Sequence, residues 1–438
     1  MKIHKILLPV AGTLAMVAFA PQASAIPSFA RQTGMACSAC HYQHFPVINS
    51  FGRSFKASGY TIMGAQEKIE ADGLSMPSVL NASLVGYFNY TKTNGPATAV
   101  GQPKGSNDGS LQIPSQASLF LGGRGGEHFG YESEVNLTPA AGGVAPDGTI
   151  GMIRMKVLFV NDIGDVKTGI VPFSSGLGPA DSFESLNTGA VAVHAFNQSD
   201  MGVISAQQYI GTNTNASGVA LFATNNNLFA NIAKWSASTG AGVAGGPSST
   251  YVRGAWTTNL IPGFDSALGF QNWSGTSTSD ATIAGVTTLT TAATKAYSLD
   301  GQMMGDVFGM PLLLVSSYAK APVVSTGNAN LYNAGPFDKS SFNIGGELGV
   351  IPNVATVQIG FRLAKTGIDA GTIGGTAGKN ASDNAFLLGA TYNIAQNMRA
   401  ELTYSKYSGD SYGATAAAAA GPGYLGDRRI AFDLAFGF

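Results

Sequence analysis

Charged residues are scarce in this sequence. They make up 11% of 438 residues, whereas a soluble domain usually carries about 25%. The 24 Lys and Arg are balanced by 25 Asp and Glu, and a chain without a basic excess is a poor binder of nucleic acid. Beyond residue 25 no uninterrupted apolar run reaches about 18 residues, so we expect no transmembrane helix. This composition favours a membrane-spanning β-barrel, with a secreted soluble β-sandwich or β-helix as the alternative.

Cysteine is scarcer still. The chain has two cysteines, too few for a disulfide framework or for a zinc site made of four cysteines. Both lie in the run Cys37-Ser38-Ala39-Cys40-His41, which is the attachment sequence of a c-type haem. We expect both thiols to bind the haem covalently and His41 to be the proximal iron ligand. A thioredoxin-like redox pair is the alternative, and it requires a surrounding βαβ pattern that is not evident here.

The first 25 residues have the composition of a secretory signal peptide. Lys2 and Lys5 precede an apolar stretch from Ile6 to Ala20, and Ala23-Ser24-Ala25 is a small-residue cleavage site. We expect the mature chain to begin at Ile26, on the far side of a bacterial inner membrane. Haem is attached to this type of motif in that compartment.

The end of the chain alternates as a barrel strand does. Ile430, Phe432, Leu434, Phe436 and Phe438 would share one face, with small or polar residues between them. The terminal aromatic residue resembles the C-terminal recognition signal of bacterial outer-membrane proteins. We therefore expect this strand to close a barrel in the outer membrane of a Gram-negative bacterium, in contact with its lipid.

Similar alternation upstream separates apolar positions from charged ones. It is clear around 129–135, 153–159, 342–350, 357–363 and 399–404. A charge on the lipid face would cost about 2–4 kcal/mol near the midplane, so we assign the charged positions to a water-filled lumen. The inward set is Glu132, Glu134, Arg154, Lys156, Glu347, Arg362, Arg399 and Asp433.

Short links rich in Gly, Pro, Asn and Asp alternate with longer polar stretches along the chain. This pattern predicts an all-β transmembrane barrel with short periplasmic turns and long outer loops. The links indicate about 18 antiparallel strands, or about 16 if the least regular pair, between Gly189 and Ile210, is omitted. The predicted division is a signal peptide over 1–25, a short α-helical monohaem cytochrome c module over 26–77 and a porin-like barrel over 78–438.

The predicted haem module has little chain to form its own core. About fifty residues separate the cleavage site from the first strand, expected near residue 79. We therefore expect the module to dock into the mouth or lumen of the barrel. The spacing of Phe45, Ile48, Phe51 and Phe55, with Pro46 in a first turn, predicts a helix over 45–56.

The N-terminal segment resembles a known family. The run from Phe29 to Met35, the haem motif, and then Phe51-Gly52-Arg53, Phe55-Lys56 and Gly59-Tyr60 are similar to the start of the fused outer-membrane cytochrome–porins of iron-oxidising bacteria. The detailed likeness covers residues 27–61, and the rest is similar in architecture alone. It implies one covalent haem c ahead of a barrel, and electron flow from extracellular Fe(II) to a periplasmic carrier, either a cytochrome c or a copper protein.

Two further groups of residues are candidates for the site. We assign the polar and aromatic residues near the motif to the surroundings of the haem: Arg31, Met35, His44, Phe45, Phe51, Arg53, Phe55, Lys56 and Tyr60. The acidic inward residues are candidates for attracting Fe(II), with an ordinary mixed-charge interior as the alternative. They are Glu132, Glu134, Glu347 and Asp433.

Several residues could supply the sixth iron ligand. His44 follows His41 by three residues and would share its side of the haem. His128 and His194 fall on predicted inward faces, where they could reach the haem or simply contact water. Met63 and Met76 offer a thioether, which would raise the reduction potential relative to two histidines, or they fill gaps in the packing. We favour a methionine.

The combined expectation is an outer-membrane electron conduit that takes one electron from extracellular Fe(II). A membrane core of about 25–30 Å is too thick for one electron hop between partners on opposite sides, and a haem in the lumen would shorten that gap. One alternative is a solute porin whose haem is structural or sensory. Another is a conduit that donates electrons outward to extracellular acceptors.

Replacing Cys37 and Cys40 together by Ala should abolish covalent haem, because both thioethers are lost. The barrel should still insert, since the closing strand is intact. Haem-stained denaturing electrophoresis measures the first effect and recovery in the outer membrane the second. Haem that remains on the double variant through denaturation would contradict the motif assignment.

Overall fold

The computed structural model describes residues 28–64, 66–72, 74–95, 107–137, 151–189, 201–238, 246–283, 286–324, 329–373, 375–412 and 426–438. Its side chains are described over the same ranges except at 201–202 and 279–289. The predicted signal peptide and His194 lie outside these residues. Among the described residues, no helix is long and apolar enough to cross a membrane.

Two hairpins stand apart from the main sheet: β1 (Lys68–Ala71) with β2 (Leu74–Pro77), and β12 (Thr276–Ile283) with β13 (Val286–Ala293). The remaining strands form one closed antiparallel barrel. They are β3 (Ala82–Thr93), β4 (Ser110–Arg124), β5 (Phe129–Asn136), β6 (Gly151–Ile163), β7 (Val166–Ser175), β8 (Ala216–Thr224), β9 (Leu228–Ser236), β10 (Ser249–Thr258), β11 (Phe264–Ser274), β14 (Ala296–Val307), β15 (Met310–Ala321), β16 (Lys339–Ile351), β17 (Ala355–Asp369), β18 (Asn380–Ser382), β19 (Asn384–Ala395), β20 (Met398–Ser408) and β21 (Arg428–Gly437).

The barrel has 16 strands across its described part. Both β18 and β19 pair with β17, and only Asp383 separates them, so these two segments occupy one position in the wall. The lower of the two predicted strand counts is therefore confirmed. The short connections, such as 164–165, 225–227 and 308–309, lie at one end of the barrel, and the long loops lie at the other.

The described helices are short and none belongs to the barrel wall. They are α1 (Ser28–Thr33), α2 (Cys37–Cys40), α3 (Ser50–Ala57), α4 (Met201–Ile204) and α5 (Ala206–Ile210), with 3-10 turns at Pro179–Ser182, Ala370–Ile373 and Asp410–Tyr412.

The predicted alternation of the strands is confirmed. On β17, Val357, Ile359 and Phe361 are exposed on the outer surface, whereas Gln358 and Arg362 are buried within the barrel. All eight charged residues that the sequence assigned to the lumen are buried in the same way. The outer wall is thus apolar, as contact with lipid tails requires.

The predicted strand pair between Gly189 and Ile210 is wrong. Its described part forms α4 and α5, which lie inside the barrel against β15 and β16. Asn343 Nδ2 donates to Val203 O at 2.7 Å, and Ala206 N donates to Ser317 Oγ at 3.0 Å. Ser205 caps α5 by accepting a bond from Gln208 N. A capped helix satisfies these backbone groups inside the lumen, where a wall strand would need a partner strand.

The expectation of a water-filled lumen is also wrong for a large part of its cross-section. Phe183, in the long loop between β7 and β8, stacks on Phe222 with the ring centroids 3.8 Å apart. Trp235, Tyr251 and Trp273 point inward from β9, β10 and β11, and each is at most 1% exposed. These residues belong to one continuous apolar cluster. The inside of the barrel is therefore a packed core along these strands rather than an open pore.

The last strand closes the barrel through pairing of β21 with β3. Phe438 continues this pairing, because its N–H donates to Leu84 O at 2.9 Å and its carbonyl accepts from Leu84 N at 3.1 Å.

Deleting Phe438 should impair assembly, because it leaves the backbone groups of Leu84 without partners at the edge of a membrane. The conservative Phe438→Tyr variant keeps both hydrogen bonds and should assemble normally. Heat-modifiable electrophoretic migration measures the folded fraction of each. A deletion variant that folds as well as Phe438→Tyr would contradict a closure that depends on this residue.

Candidate functional site

Residues 28–64, called here the plug, occupy the short-turn end of the barrel, where residues 34–41 are exposed or half-buried. Gln32 fixes the shape of this segment, because its Nε2 donates to Tyr60 O at 2.6 Å and to Ile62 O at 2.8 Å. Its Oε1 accepts from the backbone N of Arg124, on β4, at 3.0 Å. One buried side chain therefore joins the beginning of the plug to its end and to the barrel wall.

The plug contacts strands on several sides of the barrel. Tyr60 OH donates to Glu132 of β5 at 2.6 Å, and Arg53 pairs with Asp265 of β11. On β14, Gly305 O accepts a hydrogen bond from Tyr42 OH at 2.6 Å. Because these anchors are spread around the circumference, the plug spans the lumen rather than lying against one wall.

The haem motif is folded as a single helical turn. Cys37 and Cys40 are three residues apart on α2, half-buried and not disulfide-bonded. The backbone N of His41 donates to Cys37 O at 2.9 Å, which ends the turn. Burial raises the pKa of both thiols. This spacing leaves two separate thiols beside the histidine that follows them.

His41 is oriented by a backbone carbonyl. Its Nδ1 lies 3.2 Å from Val47 O, and a ring nitrogen held in this way leaves Nε2 as the ligating atom. Burial lowers the pKa of His41 to about 4, so the ring is neutral at neutral pH. The ring of Phe45 meets that of His41 edge-on, with the centroids 5.3 Å apart. Two thiols and an oriented, neutral imidazole fit the requirements of a c-type haem.

The helix after the motif begins later than predicted. It starts at Ser50, not at residue 45, because Asn49 caps it by accepting a bond from Gly52 N at 2.9 Å. The same Asn49 donates to Ala39 O at 3.0 Å and so holds α3 against α2. A Cβ at Gly52 would lie 2.3 Å from Cys40 O. Glycine at this position therefore permits the two helices to touch.

His44 is buried in a polar cluster with the barrel wall. Its Nε2 lies 2.6 Å from Glu347 Oε1 on β16. Its Nδ1 lies 2.6 Å from Arg399 Nη1 on β20, which also donates to Phe45 O at 2.6 Å. Both ring nitrogens are engaged, so His44 has no nitrogen left for iron. It anchors the motif loop instead.

The structure separates the other predicted haem neighbours into two groups. Phe55 and Tyr60 pack with Phe29 in the apolar core, and Lys56 lies over the ring of Phe183. Burial, with Lys156 nearby, lowers the pKa of Lys56 to about 8. Arg53 bonds to Asp265, as above, and Arg31 bonds to Ala82 O. The second group lies near the motif in sequence and is exposed to solvent: Met35, Phe45 and Phe51.

The candidates for a sixth ligand lie in different surroundings. His128 is not on an inward strand face: it is exposed in the turn between β4 and β5, because β5 begins one residue later. Met63 is half-buried near the end of the plug, after α3. Met76 lies on β2 and is exposed.

The four candidate Fe(II) carboxylates have partners already. Glu132 pairs with Arg154 at 3.1 Å and Lys156 at 3.4 Å, and Glu134 pairs with Arg154 at 3.2 Å. Glu347 is engaged by His44, and Asp433 Oδ1 accepts from Asn89 Nδ2 at 2.8 Å. In the part of the chain that the structure describes, no three His, Cys, Asp or Glu side chains are grouped as a metal site.

No protein-family model and no curated protein matches the sequence. Among solved structures, the in-vitro folded OmpT of Vibrio cholerae is 8% identical, with a TM-score of 0.50 over 85% of this chain and 100% of that one. DcaP of Acinetobacter baumannii is 11% identical, with a TM-score of 0.49 over 85% and 100%. OmpF of Salmonella typhi is 13% identical, with a TM-score of 0.49 over 85% and 100%.

These likenesses concern the fold. The chain has the barrel fold of outer-membrane porins, which is consistent with a place in the outer membrane.

His44→Ala should loosen the plug, because it leaves Glu347 and Arg399 buried without their shared partner. Leaving a buried charged group without one of its hydrogen-bond partners costs about 1–3 kcal/mol, so tryptic cleavage after Arg53 should become about 5- to 150-fold faster. His128→Ala, in the exposed turn, is the matched control and should leave the rate unchanged. Equal cleavage rates in both variants would contradict the anchoring role.

Proposed function

We propose that this protein is an outer-membrane electron conduit with one covalent haem c, which takes an electron from Fe(II) outside the cell and delivers it to a periplasmic carrier. The observation that carries the proposal is His41, which directly follows two free thiols on one helical turn. Its Nδ1 is held by Val47 O, which leaves Nε2 for iron. The plug holds this arrangement at the short-turn end of the barrel.

The chain's own residues would hold the group in a fixed position. Cys37 and Cys40 would form the two thioethers, and His41 Nε2 would bind the iron. Haem supplies a one-electron couple between ferrous and ferric iron. For each turnover, Fe(II) outside becomes Fe(III), and the periplasmic carrier gains the same electron, so no proton or further reductant is needed.

For the sixth ligand we propose Met63. It is half-buried near the end of the plug, whereas Met76 is exposed on a hairpin and pairs across it with Ile69. Both ring nitrogens of His44 are engaged, as described above. A thioether ligand raises the potential of a haem relative to two histidines, which suits a donor such as Fe(II).

The plug and the packed core disfavour the alternative of a solute porin. The plug contacts strands around the barrel, and the loop with Phe183 packs into the apolar core beside it. Passage of a sugar-sized solute would require displacing one of these two elements. We therefore expect low conductance from the intact protein.

The test uses the haem-loaded protein in vesicles with a known orientation. Fe(II) added on the long-loop side should produce the absorption spectrum of reduced haem, and a bulky impermeant chelator of Fe(II) should slow this reduction. Failure of Fe(II) to reduce the haem from either side would overturn the iron-oxidation proposal. Reduced haem that is oxidised by an acceptor on the long-loop side, but never reduced from it, would support the outward conduit.

Two variants and one conductance measurement complete the test. Met63→Leu should lower the reduction potential, and Met76→Leu, the matched control, should leave it unchanged. A lowered potential in Met76→Leu alone would assign the ligand to Met76. An unchanged potential in both variants would exclude both methionines. Ready passage of sugars through the haem-loaded protein would favour the porin alternative.

A further inference from the structure

The hairpin of β1 and β2 has one apolar face that no part of the described chain covers. Register pairs Ile69 with Met76 and Ala71 with Leu74, and residues directly opposite one another lie on the same face of a sheet. All four are exposed to solvent. This concentration of apolar side chains on a hairpin outside the barrel requires an explanation.

The opposite face of the hairpin is tied to the rim of the barrel. Arg124, at the end of β4, donates from Nη2 to Ser75 Oγ at 2.7 Å and from Nε to Ser75 O at 3.2 Å. The same guanidinium donates from Nη1 to Thr61 O at 3.1 Å. Lys68 and Glu70 pair on this face. The hairpin is therefore held with its polar face toward the barrel and its apolar face away from it.

The apolar face is continuous with the wall that contacts lipid. The link from β2 to β3 contains Val79 and Leu80, which are 60% and 62% exposed. Leu80 is four residues before Leu84, an exposed residue of the outer wall, so exposed apolar residues continue from the link into β3. The hairpin thus begins where the lipid-facing surface ends.

Four other short connections at this end of the barrel carry an exposed apolar residue. Phe308 is 96% exposed at the tip of the turn between β14 and β15. Ile163, Leu260 and Ile351 are exposed at three further short connections. Because these tips are spread around the rim, they match a lipid surface that surrounds the barrel, whereas a docked protein would cover one side.

We propose that the hairpin of residues 68–77 lies on the membrane surface at the short-turn end, with Ile69, Leu74 and Met76 inserted among the lipids. An amphipathic element of this kind inserts its apolar side to a depth of about 5–10 Å. Through Arg124 the hairpin then holds the end of the plug at the level of the headgroups. This inference does not depend on haem, so it stands or fails separately from the proposed function.

Tryptophan fluorescence in brominated lipid tests the insertion. In a Trp256→Phe background the lipid-facing tryptophan is absent, while Trp235 and Trp273 stay buried in the lumen as an unquenched reference. Leu74→Trp should lose about half of its added emission in vesicles whose acyl chains carry bromine near the headgroup. Glu70→Trp, on the opposite face, is the matched control and should be quenched little.

Equal quenching of the two variants, or none in either, would overturn the proposal. Emission from Leu74→Trp that responds to an added periplasmic carrier, and not to bromine, would show that the face docks a protein instead. Heat-modifiable migration confirms that each variant folds. Ile69→Trp, on the same face, replaces Leu74→Trp if the latter does not fold.

Discussion

The structure depends first on the closed ladder of backbone hydrogen bonds in the barrel wall. A membrane offers no water to an unpaired N–H or C=O, so each strand needs a partner on both sides and the last must meet the first. Pairing of β21 with β3 satisfies this requirement. With the backbone satisfied, the outward side chains are free to be apolar. The polar and charged groups of the strands must then lie in the lumen.

The lumen in turn supplies the core that the haem motif lacks. A segment of 37 residues, 28–64, cannot bury much apolar surface alone. Phe55 and Tyr60 instead join a cluster that includes Phe183 and Trp273. The anchors of the plug are mostly polar contacts to inward strand positions, such as Glu132 and Glu347. The carboxylates that the sequence suggested for Fe(II) therefore act in the structure as partners for the plug and for basic or polar side chains of the wall.

The alternation of apolar and polar residues, together with the turn-forming residues between strands, was enough to predict the barrel wall. Alternation with a period of two is a local property, so the inward position of Glu132 and Arg362 could be read directly. The structure of the segment after Gly189 could not be predicted in this way, because a helix inside a lumen and a short strand both need only a few apolar residues. The predicted inward position of His128 was wrong for a similar reason, since a shift of one residue at the end of a strand moves a side chain from a wall face into a turn.

The site shows the same division between local and distant causes. The helical turn of Cys37 to Cys40 and the cap at Asn49 follow from nearby residues. The role of His44 could not be inferred from nearby residues, because its partners Glu347 and Arg399 are more than 300 residues away in sequence. His44 lies three residues from His41, whose ring is fixed by Val47 within the same loop. A substitution of Glu347 in the wall would therefore change the position of the motif. The barrel wall is thus part of the candidate site and does not merely surround it.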